Sequence, residues 1–203
     1  MKETRFNLGS RLIHWAIAFA ILFLLLTVFL RLGWMNKDHL GDILQKSLAK
    51  KGIQLSSADA AAIGKDIRKP MWQYHVITGY VIIGLYLIRI VITFLQGIGF
   101  KSPFSADATA RDKFKGWVYI IFYGLLAVSL FTGFMIVNGP KDWKEVMEPV
   151  HVKSLYYMLT FIVLHVSGVL LADMGAEKGI VSKMISGLRG LPVAKADKLN
   201  KYN

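Results

Sequence analysis

Four apolar runs, at about residues 12–30, 72–95, 118–137 and 151–172, dominate the sequence. At a helical rise of about 1.5 Å per residue, each run covers most of a hydrocarbon core of about 30 Å. Hydrophobic residues make up 54% of the chain and the mean hydropathy is +0.45. They lie in blocks, not in the alternating stripes of a soluble core, so the membrane is the medium they fit. Backbone groups in lipid must bond within their own segment. The expected fold is therefore all-α, a transmembrane four-helix bundle with short surface helices in the first loop. It forms a single membrane domain over 1–203, with spans at about 10–32, 72–96, 115–138 and 150–173.

The segments between the runs carry their own signals. The first run is too long for a signal-peptide core and no small-residue cleavage site follows it, so it reads as a retained span with Trp34 as an interfacial anchor. Residues 35–71 are polar. Leu40, Ile43, Leu44 and Leu48 are spaced as on one helix, and Ser56 or Ser57 would cap a second. These two short amphipathic helices are expected near the membrane surface, with Pro70 marking the boundary before the second span. The tail over 174–203 is polar and basic.

The net charge is +12 and there are no cysteines. Absence of cysteine excludes disulfides, thiolate-held iron–sulfur clusters and covalent haem attachment through C-x-x-C-H. The basic residues flank the apolar runs, where lipid headgroups account for them, so no nucleic-acid partner is expected. Lys and Arg are modestly more numerous on the side holding the N-terminus, the 96–115 loop and the C-terminus. That bias predicts a multi-pass membrane protein with both termini in the cytoplasm.

Ionisable groups inside a membrane are costly, and four histidines lie at span positions. His151 and His165 are fourteen residues apart, just under four helical turns, so on one helix they share a face and stand roughly 21 Å apart. Because successive spans alternate in direction, His14 comes to the depth of His165, and His75 to that of His151. Taken singly, each is an ordinary interfacial or inter-helix hydrogen-bonding residue. As two matched pairs they suit the axial positions of haem iron, which neutral imidazole binds well. Two axial histidines leave no open position, which favours electron transfer over chemistry at the metal, and no catalytic side chain is expected. Zinc fits less well, since two histidines give half a site. His39, in the polar loop, reads as a solvated surface residue.

Arg89 follows His75 by fourteen residues, so it faces the same way at the depth of the His14 pair. Haem propionates would supply its counter-anion; snorkelling to headgroups is the alternative. Gly79, Gly133 and Gly168 could admit a porphyrin face or serve close helix packing.

The segments RLIHW (11–15), HVITGYVIIGLYLIR (75–89), TGFM (132–135) and HVKSLYYMLTFIVLH (151–165) resemble the prokaryotic cytochrome b561 family, which includes the b-type cytochrome subunits of nickel–iron hydrogenases. The resemblance covers about residues 8–175. It implies two non-covalent b haems with bis-histidine ligation and electron exchange with quinone. His14 and His165 would hold the cytoplasmic-side haem, His75 and His151 the periplasmic-side one, and Arg89 would contact a propionate of the former. Some members serve a periplasmic or membrane redox partner subunit; others resemble free-standing quinone or superoxide oxidoreductases. A haem-free membrane anchor whose histidines only tie helices together is the competing expectation. A small transporter with histidine relays ranks last, because broken helix pairs are lacking.

Overall fold

In a computed structural model, residues 7–97, 102–175 and 178–187 are described. The expected basic leader at Lys2 and Arg5, part of the 96–115 connection and most of the polar tail lie outside the described residues. Among those described, the fold is all-α, with no strand. The helices are α1 (Leu8–Leu32), α2 (Lys37–Ala49), α3 (Ser57–Ile67), α4 (Lys69–Gln96), α5 (Ala110–Asn138), α6 (Lys141–Val152), α7 (Ser154–Met174) and α8 (Ile180–Ser186). Four segments are long and apolar enough to cross a membrane: α1, α4, α5, and α6 with α7 taken together. Their large side chains face outward in quantity, Phe94 and Leu171 among them. Such apolar exposure is what acyl chains cover.

Polar caps start the helices. Asn7 Oδ1 accepts from the Ser10 amide at 2.7 Å, and Asn36 Oδ1 from the Asp38 amide at 2.9 Å. Ser56 caps α3, accepting from the Asp59 amide at 3.1 Å, as its position predicts. Thr109 and Asp112 cap α5 reciprocally: each accepts the other's amide at 3.2 Å, a capping box closed by an aspartate. Pro70 proves to lie inside the first turn of α4, where its missing N–H costs nothing.

The fourth apolar segment, carrying His151 and His165, forms one stretch long enough to span a membrane, but its helical ladder is locally broken. It is interrupted at Lys153, which keeps right-handed backbone angles (φ −62°, ψ −15°), and Tyr156 N bonds to Lys153 O at 3.1 Å, a tightened i→i+3 turn. Pro149, inside α6, donates no N–H and crowds the carbonyl four residues back, which weakens the helix just upstream of this point. His151 therefore lies in the last turn of the polar α6, while His165 is on α7.

The described chain forms two compact units. Of the described residues, the first comprises 7–15, 89–97, 102–129, 149–175 and 178–187; the second comprises 16–88 and 130–148. In the first, Phe122, Leu126 and Met158 are buried, and Tyr157 Oη donates to Leu125 O at 2.8 Å, tying α7 to α5. In the second, Ile82 and Leu25 are buried, and Asn138 Nδ2 donates to Tyr80 Oη at 2.7 Å, tying α5 to α4. Helices α2 and α3, expected from the polar loop, pack on each other at two glycines. A Cβ at Gly41 would come within 3.0 Å of the Ala60 backbone, and one at Gly64 would collide with the Lys37 carbonyl oxygen.

Candidate functional site

The first unit brings His14 and His165 together. Their ring centres are 5.9 Å apart with the planes tilted by 47°. An imidazole–metal–imidazole sandwich with metal–nitrogen bonds of about 2 Å puts its ring centres roughly 6 Å apart, close to the spacing of this pair. Phe161, one turn before His165 on α7, lies parallel to its ring at 5.4 Å, and Phe122 of α5 stacks on Phe161 at 3.5 Å. Tyr119 meets both Phe161 and His165 edge-on. Its hydroxyl is 3.4 Å from His165 Nδ1, too long for a strong hydrogen bond. Past His165, Gly168 is exposed and a Cβ there would meet nothing within 4 Å.

Two cations belong to the same unit. Arg89 Nε donates to Tyr123 Oη at 3.3 Å, and the guanidinium is close enough for its charge to act on His14 and Tyr119. Arg11, one turn before His14, donates through Nη2 to Ile185 O at 3.0 Å, and Trp15 Nε1 donates to Met184 O at 3.3 Å. These bonds hold α8 on the first turns of α1. Arg11 Nε is buried with no acceptor among the described residues. A carboxylate would satisfy such a donor.

His75 belongs to the second unit. Its Nδ1 is 2.7 Å from Thr27 Oγ1, and Trp72, one turn earlier on α4, stacks on the ring at 4.5 Å and 6°. The Arg31 guanidinium lies over the Trp72 ring at 4.7 Å. Gly79, one turn after His75, is open: a Cβ there would meet nothing within 4 Å. Gly133 is half-buried on α5. His151, in the first unit, has Nδ1 3.0 Å from Ser129 O. A carbonyl only accepts, so His151 is protonated at Nδ1 and carries its lone pair on Nε2. His39 is exposed on α2. Among the described residues, no three His, Asp or Glu side chains gather as a metal cluster.

Sequence reading missed Thr27, Tyr119 and the Ser129 carbonyl. Thr27 had a signal, being a hydroxyl in an otherwise apolar run; a carbonyl has none. A cavity of about 210 Å³ lies between α5 and α7, lined by Ile121, Phe122, Leu125, Tyr157, Phe161 and Leu164, among others. Tyr157 and Thr160 both donate to backbone carbonyls, so this wall suits an acyl or isoprenoid chain better than a carbonyl headgroup.

A family model described as prokaryotic cytochrome b561 matches residues 5–187. The chain belongs to the prokaryotic cytochrome b561 family. Neither the curated proteins nor the solved structures offer a match. Membership makes the chain a membrane electron-transfer protein that binds haem b, in a lipid environment, and the four apolar segments agree with that. The ring spacing of His14 and His165, and the buried Arg11 Nε that has no acceptor among the described residues, fit such a group.

Proposed function

We propose that the chain passes single electrons between membrane quinone and a redox partner through two b haems, each held by two histidines. Haem supplies a one-electron carrier within the bilayer. His14 and His165 are the ligands of one, with Arg89 and Arg11 as the cations facing its propionates. His75 and His151 are the ligands of the other, with Gly79 and Gly133 as the small positions beside them. The four protein ligands leave no exchangeable position, so outer-sphere transfer is the chemistry that this set permits. The two termini lie in the cytoplasm of a bacterial inner membrane, on the strength of the Lys and Arg bias. The 35–71 segment, with α2 and α3, offers a periplasmic surface to a partner subunit. The observation that carries the proposal is the 5.9 Å separation of the His14 and His165 rings in a family that binds haem b.

The test is reduction of purified protein by a quinol, followed by absorption. Wild type should show a b-type reduced-minus-oxidised spectrum with two haems per chain, reducible by quinol. His14→Ala, His165→Ala, His75→Ala and His151→Ala should each lose one haem. A chain without haem, or four variants that keep the wild-type spectrum, would overturn the assignment.

A further inference from the structure

Thr27 is 2% exposed, one of the largest fully buried side chains among the described residues, and it interrupts an apolar stretch of α1. A buried hydroxyl in a membrane segment needs partners, and Thr27 has two. Its Oγ1 donates to Leu24 O at 2.6 Å within its own helix. The same oxygen is 2.7 Å from His75 Nδ1. The hydroxyl proton is committed to a carbonyl, which only accepts. Thr27 must therefore accept from His75, whose Nδ1 carries the proton. The lone pair of the ring is then on Nε2, the nitrogen pointing away from α1's hydroxyl. In the other direction, the parallel stack of Trp72 at 4.5 Å limits rotation of the ring about its long axis.

We propose that Thr27 is the positioning residue of His75: its hydroxyl fixes the Nδ1–H tautomer and the ring orientation in which Nε2 reaches haem iron. The proposal rests on His75 being a haem ligand, as put forward above. A hydrogen bond accepted from the distal N–H of a ligating imidazole makes the ring a stronger donor and steadies it. Loss of such a partner typically weakens metal retention by roughly 10–100-fold. A stronger donor favours ferric over ferrous iron, so removal of the bond raises the midpoint potential of that haem.

The experiment compares Thr27→Val, Thr27→Ser and Thr93→Val with wild type, in detergent-purified protein. Valine keeps the volume of threonine and removes the hydroxyl; serine keeps the hydroxyl. Thr93→Val is the control, because Thr93 Oγ1 donates to Arg89 O at 2.8 Å, a similar intrahelical bond. The readouts are haem retained per chain after challenge with apomyoglobin, and the midpoint potential of each haem in a redox titration. Thr27→Val should lose one haem roughly 10–100-fold more readily, with its potential shifted upward, while Thr27→Ser and Thr93→Val behave as wild type. Thr27→Val matching wild type in both readouts would overturn the proposal. So would Thr27→Ser failing as badly as Thr27→Val, since the hydroxyl would then not be the cause. A His75→Ala protein that keeps both haems would instead remove the ligand assignment on which the proposal stands.

Discussion

The rings of His14 and His165, contributed by the first and last apolar segments of the chain, stand 5.9 Å apart, centre to centre. That spacing is close to the roughly 6 Å between the ring centres of two imidazoles that share one metal ion. If both ligate one haem, they act as a unit. His14→Ala and His165→Ala should then each remove the same haem, and the double variant should lose no more than either single one. Difference spectra and haem-to-protein ratios of the three variants check this. Additive losses would separate the two histidines.

Arg89 places a positive charge near this pair. A cation in a low-dielectric site favours the more negative, reduced form of a neighbouring redox group. Arg89→Gln should therefore lower the midpoint potential of the His14/His165 haem. At an effective dielectric of about 20, loss of a nearby unit charge is worth on the order of 1–2 kcal/mol, or roughly 50–90 mV for one electron. Arg89→Lys should retain most of the wild-type value. Redox titration followed in the visible band measures both. An unchanged potential in Arg89→Gln would put the guanidinium among the headgroups.

The α2–α3 pair depends on close backbone approach. A methyl at Gly64 would meet the Lys37 carbonyl oxygen, which cannot move without disturbing the start of α2. Gly64→Ala should destabilise the pair by about 1–3 kcal/mol. Limited proteolysis should then cut within 35–71 sooner, while the haem spectrum stays as in wild type. Gly52→Ala is the contrast. Its φ of +76° resists a side chain, but nothing lies within 4 Å, so its penalty is local strain without collision.

Ser56→Ala tests the capping of α3. The Asp59 amide would lose its acceptor, at a cost of about 1 kcal/mol. Protease sensitivity of the same segment should rise, less than for Gly64→Ala.

Much of this was legible before any coordinates. Uninterrupted apolar runs specify membrane helices through length alone, and Ser56 announced a helix start three residues ahead of Asp59. The meeting of His14 and His165 followed from counting residues along spans that alternate in direction, since depth is a matter of rise per residue. The interruption at Lys153 was not legible in that count. Pro149 was visible, but it lies four residues from the break, and a proline alone does not say where the helix gives way. Thr27 stood out as polar in an apolar run, yet nothing on α1 names His75 as its partner, because the contact joins residues 48 apart. The hold on His151 comes from the main chain at Ser129, and backbone carbonyls leave no trace in residue type.

Electron paramagnetic resonance of the oxidised protein tests bis-histidine ligation most directly. Wild type should show only low-spin ferric signals, integrating to two haems per chain, and His165→Ala should lose one of them. A high-spin ferric signal in untreated wild type, or no ferric signal at all, would contradict the account.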